Sequence, residues 1–336
     1  MKSILFFILL SFLLMASCSK TTIHKDTSRE DYAWQVPIDQ LVINENAHDL
    51  IPAIDTPYFK PAHQVELPPD EEVLLFRTAD QVRIYPISTI WKHEIVNDKS
   101  SNNPFTVSYC PLTGSGIAWQ RLVNGNETTF GVSGNLYNSN LIPYDRKTET
   151  YWSQMTLNGI KGELGGDVLQ PLYLLHTIYS SAILAYPNSQ VLVDEKSDAG
   201  CDSLCVPKSL YVSKDYPGIA SKYFGVIIRD EVLLFERGKF TDSMHVFQTS
   251  FKGTRLVIAA NEDVGFFTAF KSPQTLSMHA IQHQWPVIMS DAEGNTYDIM
   301  GVIISGENKG QHLDAPFSYS AKAFAWQLFF ENLNYF

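Results

Sequence analysis

Part of this sequence is written twice, and any fold for the chain has to accommodate both copies. Asp80-Gln-Val82-Arg-Ile-Tyr85 returns as Asp230-Glu-Val232-Leu-Leu-Phe235. Thr129-Phe130 through Tyr144-Asp145 to Thr150-Tyr151 returns without a gap as Thr275-Leu276 through Ser290-Asp291 to Thr296-Tyr297. Gly162-Glu163-x-x-Gly166-x-x-Leu169 returns as Gly306-Glu307-x-x-Gly310-x-x-Leu313, and Tyr186-x-Asn188 as Phe330-x-Asn332. Four blocks in one order mark an internal duplication rather than chance similarity. Repeat 1 is placed at 71–193 and repeat 2 at 221–336, with a connector at 194–220 that holds Cys201-Asp-Ser-Leu-Cys205.

Within each copy the short β-branched and aromatic runs, such as Val82-Arg-Ile84-Tyr and Thr106-Val-Ser-Tyr109, have strand character. Asn124-Gly125 carries the type I′ hairpin signature. Leu172 to Tyr186 and Tyr319 to Phe330 are apolar at mixed three and four spacing, which predicts a helix at the end of each copy. The expected class is therefore α+β, internally duplicated, with mostly antiparallel β units each closed by a C-terminal helix.

The first residues carry an address. Lys2 supplies one positive charge, Ile4 to Met15 is almost wholly apolar, and Ala16-Ser17 leads into Cys18. That run is too short to span a bilayer core, which takes roughly 20 residues, and reads as a signal peptide over 1–17. Met15-Ala16-Ser17-Cys18 resembles the lipobox of bacterial lipoproteins, so Cys18 is expected to be the lipidated first residue of the mature chain. Ser19 and Lys20 carry no acidic residue, which favours the outer membrane within a cell-envelope location. Residues 18–70 are read as the lipidated cysteine, a flexible stalk to about residue 35 and a proline-rich lead-in, with the body starting near Val73. The lipid is then the expected membrane contact. A formal net charge of −11 disfavours nucleic acid, which is bound through Lys and Arg, and no nucleic-acid partner is expected.

Three cysteines remain after Cys18. Cys201 and Cys205 are read as a local disulfide or a metal-binding pair. Cys110 stands in Thr106-Val-Ser-Tyr-Cys110-Pro111-Leu-Thr113-Gly114-Ser115-Gly116, where proline stops a strand and glycines let backbone N–H groups of Gly114, Ser115 and Gly116 converge on an anion. In repeat 2 the position aligned with Cys110 is Ala260, and no Pro-Leu-Thr-Gly follows. His93 lies one hairpin away, and a Cys–His pair lowers a thiol pKa and makes a nucleophile or a metal ligand. Cys110 is thus expected to be partly accessible at a strand end, with its pKa depressed by His93. Ser133, Asn138, Asp145, Arg146 and Trp152 lie in a dense polar stretch that supplies either ligand hydrogen bonds or turn ties. His279-Ala-Ile-Gln-His283 has helical metal spacing, but its alternation suits a strand.

At these words the chain resembles a bacterial family known as domain of unknown function 3179. The resemblance is carried by His93-Glu-Ile-Val-Asn-Asp98, Tyr109-Cys-Pro-Leu-Thr-Gly114, Gly131-Val-Ser-Gly134 with Asn138-Ser139, Tyr144-Asp-Arg146, Trp152-x-Gln154 and the Gly162 and Gly306 blocks. The resemblance covers about 71 to 336, and it implies a shared fold and site but no established activity. Many members of that family have a second cysteine where this chain has Thr113, and the Cys201–Cys205 stretch is an addition to the pattern. Three functions stay open: a lipoprotein binding a small ligand or a soft metal such as Cu(I) at Cys110 and His93, a thiol enzyme with Cys110 as nucleophile and His93 as base, and a structural or interaction module with an inert Cys110.

Overall fold

The computed structural model describes residues 32–44, 46–194, 222–272 and 276–336. Residues 1–17, Cys18, Cys201 and Cys205 lie outside the described residues, and so do the expectations made for them. Among the described residues no helix is long and apolar enough to cross a membrane.

The α+β expectation is overturned. The protein is mostly β, with 49% strand, 11% helix and three α-helices among the described residues, spread over several sheets. The stretches expected to be terminal helices are each split. Leu175–Ile178 and Phe317–Lys322 are strands, and only Tyr179–Ala185 and Ala323–Phe329 are helical. Neither helix closes its half, because the strands Gln190–Val193 and Asn332–Tyr335 follow and pair in parallel with Val82–Pro86 and Glu231–Glu236. An apolar run buried on both faces shows no alternation, so its spacing alone does not separate strand from helix.

Strand order recurs in the two halves. In one half Leu175–Ile178, Glu72–Arg77, Val82–Pro86 and Gln190–Val193 lie side by side; in the other Phe317–Lys322, Lys222–Ile228, Glu231–Glu236 and Asn332–Tyr335 do. The meander Ile95–Ser100, Asn103–Cys110, Ser115–Gln120 corresponds to His245–Phe251, Thr254–Asn261, Phe266–Lys271. Single hydrogen bonds correspond as well: Gln120 N donates to Gln170 O at 3.0 Å, and Lys271 N to Asp314 O at 2.7 Å. The Asn124-Gly125 turn has φ of 47° and 74°, as a type I′ turn requires.

Two of the four core clusters are shared across the halves, and the other two lie within one half each. Val73, Leu75 and Ile84 pack with Val257, Phe270 and Met289 in one cluster. Cys110, Trp119, Phe130 and Trp152 pack with Val232, Leu234, Tyr319 and Trp326 in another. Each half's first sheet therefore completes the apolar core of the other half's meander.

The chain enters this fold well before Val73. Gln35 N donates to Ile160 O at 2.8 Å, and Leu41–Val42 pairs with Leu136 and Tyr137. Ala47 packs so closely on Gly134 that a Cβ there would sit 2.1 Å from the Ala47 Cβ. Tyr58–Pro61 adds an edge strand beside Gln190–Val193, where a proline is tolerated because its missing N–H faces outward.

Candidate functional site

Asn103–Cys110 is the central strand of its meander, and Cys110 pairs with Ser115 across a turn closed by Gly114 at φ 66°. Gly114 N donates to Cys110 O at 2.8 Å. That amide is already satisfied, so the expected convergence of turn N–H groups on an anion is not formed through Gly114. Gly116 is required by packing, since a Cβ would lie 2.5 Å from the Leu74 side chain.

Cys110 is 1% exposed, against the expectation of an accessible thiol. Its sulfur lies 4.0 Å from Ser139 O. Burial pushes the thiol pKa up, and the Glu94 carboxyl pushes it further; the Thr113 hydroxyl and the N–H groups of Thr113 and Leu141 pull the other way. The net rise keeps the thiol protonated at neutral pH, where it is a poor nucleophile.

Around it runs a closed polar network. Thr113 Oγ1 and Ser115 Oγ are 2.8 Å apart, and Asn140 Nδ2 donates to Thr113 Oγ1 at 2.9 Å and to Gln154 Oε1 at 2.7 Å. Gln154 Nε2 donates to Ser108 Oγ at 2.9 Å. All five side chains are buried, and Asn140 Oδ1 has no hydrogen-bond partner. A buried acceptor left unpaired costs about 1–3 kcal/mol.

Glu94 is a buried acid beside this network. It is 7% exposed, takes left-handed backbone at φ 58°, and its carboxylate makes no hydrogen bond or ion pair among the described residues. Burial pushes its pKa up to about 8, so it holds a proton at neutral pH. The backbone is fixed on both sides: Glu94 N donates to Ile90 O at 2.6 Å and Glu94 O accepts from Tyr109 N at 2.9 Å. A left-handed residue other than glycine costs on the order of 1 kcal/mol and persists where the surroundings over-determine it.

Lys322 reaches the same turn from the other half. Its N–H donates to Thr113 O at 2.8 Å, and its Nζ donates to Leu112 O at 2.9 Å and Pro111 O at 3.3 Å. Burial lowers its pKa, as does nearby Lys222, and Cys110 raises it. A thiolate formed at Cys110 would thus be met by a cation and by the Thr113 and Leu141 N–H groups.

His93 is engaged elsewhere. Its Nδ1 lies 2.7 Å from Pro52 O and its Nε2 3.4 Å from Asp194 Oδ2. The left-handed residue between His93 and the strand Ile95–Ser100 breaks the alternation on which a Cys–His approach depended, and Glu94 takes the place beside Cys110. The expected Cys110–His93 metal pair is not formed, and among the described residues no three His, Cys, Asp or Glu side chains are grouped to hold a metal.

The other sequence-derived candidates tie the backbone. Ser133 Oγ donates to Ile142 O at 2.5 Å and accepts from Asn135 N at 3.1 Å within a bulge. Asn138 and Ser139 form a tight turn with φ of 49° and 63°, and Asn138 Nδ2 donates to Leu328 O at 2.9 Å, near the end of the helix Ala323–Phe329. Asp145 accepts from Thr148 N at 2.8 Å and from Trp152 Nε1 at 3.2 Å. Arg146 pairs with Asp55 at 2.9 Å and Asp49 at 3.2 Å. Of the expected set only Cys110 and Ser115 belong to the polar chamber. Glu94, Thr113, Asn140, Gln154 and Lys322 were not singled out. Glu94, Thr113 and Gln154 stand inside the motif words already quoted and Asn140 directly follows one, but nothing near Lys322 marks it.

These features define a mostly β protein in which one half holds a buried thiol–carboxyl pair and the other half covers it. The family described as "Protein of unknown function (DUF3179)" matches residues 48–201, and this region of the chain belongs to it. The match takes in Glu94, Cys110 and the polar network; it begins earlier than the motif words did and does not extend over the Gly306 block or Lys322. No curated protein and no solved structure matches the chain.

Proposed function

We propose that the protein binds a small ligand at the Cys110–Glu94 chamber. The observation that carries this reading is Glu94, a buried carboxyl kept neutral by desolvation on left-handed backbone beside the thiol. Strained backbone and desolvated titratable groups cluster at functional sites. Unpaired Asn140 Oδ1 supports the same reading, because a ligand donor would satisfy it. Both acidic groups carry protons at neutral pH, so the resting site offers hydrogen-bond donors rather than a nucleophile. We further propose that the chain is exported and held in the envelope by a lipid on Cys18; the first twenty residues support this. Loss of palmitate labelling in Cys18→Ala is expected, and continued labelling would place the anchor elsewhere.

Native mass spectrometry of the full chain tests the binding reading. The wild type is expected to carry a co-purified mass that Glu94→Ala and Cys110→Ser both lack. Bare protein in all three, after incubation with Cu(I) as well, would leave the chamber a structural element. A copper mass alone would assign the soft-metal form of the site.

A further inference from the structure

A cavity lies on the seam between the halves, away from Cys110. It encloses about 460 Å³, and its wall includes Gln170, Tyr173, Arg229, Thr254, Lys271 and Ser318. Gln170 and Tyr173 come from the first half and the other four from the second. The volume is in the range of small-molecule sites, roughly 300–1,000 Å³.

Two cations, Arg229 and Lys271, line it. Neither Arg229 nor Lys271 makes an ion pair among the described residues, in a chain whose formal net charge is −11. Where acidic groups outnumber basic ones, two cations left unpaired in one cavity wall are positioned for an anion from outside. Arg229 sits at φ 60° in the two-residue turn between Lys222–Ile228 and Glu231–Glu236. Such turns favour Asn or Gly, so an arginine there is held against its backbone preference. The first half has no such pair. Its counterpart of Lys271, by strand register and by the shared backbone hydrogen bond, is Gln120, and its Asp80-bearing turn has Ala79 just before the aspartate where the second half has Arg229 before Asp230.

We propose that this cavity binds a phosphate monoester, its phosphate held between the Arg229 guanidinium and the Lys271 ammonium. The planar guanidinium matches two phosphate oxygens at once and the ammonium supplies a compact charge to a third. Thr254, Ser318 and Gln170 are polar groups on the wall for the rest of the ligand. The volume exceeds what a bare phosphate fills, which points to an ester with an organic part of sugar size. The site is independent of the Cys110 chamber.

Calorimetric titration of the full chain at low salt tests it, with inorganic phosphate, glucose 6-phosphate and glucose as probes. Saturable binding is expected for both phosphates and none for glucose. Arg229→Gln and Lys271→Gln are each expected to weaken binding at least about tenfold, while Glu94→Gln leaves it unchanged. Both side chains are exposed, so the variants keep the fold. Phosphatidylcholine vesicles containing phosphatidic acid form a second arm: vesicle binding lost in the same variants would assign the phosphate to a lipid headgroup. No binding to any phosphate probe, or binding indifferent to both substitutions, would overturn the proposal.

Discussion

At residue 110 the first half ends its central strand on a cysteine, and at residue 261 the second half ends the corresponding strand on an asparagine. Around them the backbone is nearly the same. Cys110 pairs with Ser115 and Asn261 with Phe266, and the intervening turns close on Gly114 at φ 66° and Gly265 at φ 69°. The position opposite Cys110 is therefore Asn261 by strand register, one residue from the Ala260 that sequence alignment indicated, and the turn itself recurs. What differs is its content. Asn261 Oδ1 accepts from Asp263 N at 3.0 Å and is locally satisfied. Where the first half buries Ser108, Thr113 and Ser115, the second has Ala259, Val264 and Phe266. Lys322 covers the first turn, whereas Ile178 covers the second, 2.7 Å from a Cβ built on Gly265. The second half shows that this backbone stands without a buried polar network. The network in the first half, with its unpaired Asn140 acceptor, is then a cost to stability relative to an apolar filling.

The largest expected effect concerns Glu94. Its folded pKa of about 8 lies above the unfolded value of roughly 4.3. The native state therefore holds the proton more tightly, and this contribution to stability is complete below the unfolded pKa and lost as pH rises through 8. Urea unfolding at pH 5 and pH 8.5 should show Glu94→Gln gaining on the wild type by on the order of a few kcal/mol at the higher pH. Asn261→Ala in the second half should cost about 1 kcal/mol at both pH values. Equal pH profiles for wild type and Glu94→Gln would mean that the carboxyl is solvated and the contrast between the halves is weaker than drawn.

The two turn glycines sharpen the contrast in packing. Either substitution by alanine forces a side chain into left-handed backbone, at about 1 kcal/mol. Gly265→Ala also meets Ile178, for a total of roughly 2 kcal/mol or more. Beside Gly114 the nearest atom is Lys322 Cγ at 3.7 Å, so Gly114→Ala should stay near the backbone cost alone. Thermal unfolding midpoints that rank the pair the other way would contradict the two different covers.

The smallest effect exchanges the polar residue for its apolar counterpart. Thr113→Val removes a hydroxyl that Asn140, Ser115 and Cys110 share, and should destabilise by about 1 kcal/mol. Val264→Thr, in the other half, should change stability by less than about 0.5 kcal/mol. A neutral Thr113→Val would show that the network is not held together through that hydroxyl.

Much of the strand framework could be read from local chemistry. Asn124-Gly125 marked its hairpin because both positions need positive φ, and Val82 to Tyr85 declared a strand by β-branched and aromatic content. Terminal helices were overcalled because Leu175–Ile178 and Phe317–Lys322 pair with strands about a hundred residues away, which no local window contains. At the site, Cys110 and its turn were legible, but the choice between His93 and Glu94 was not. It depends on one left-handed residue that reverses which side chain faces inward, and a glutamate there gives no sign of φ 58°. Lys322 was out of reach for a plainer reason: its partners Pro111 and Leu112 are on the opposite half of the chain.

The reciprocal cores also set a schedule for folding. A nascent chain that has emerged as far as Val193 presents the apolar faces of Val73, Leu75 and Trp119 only partly covered, because Val257, Phe270, Val232 and Trp326 have yet to be made. Partners so distant along the chain carry a high closure entropy and slow the search. The first half holds one cluster of its own, built from residues such as Leu74, Tyr85, Phe105 and Val107, but the apolar surroundings of its thiol are finished only when the C-terminal strands arrive and Lys322 docks on Thr113.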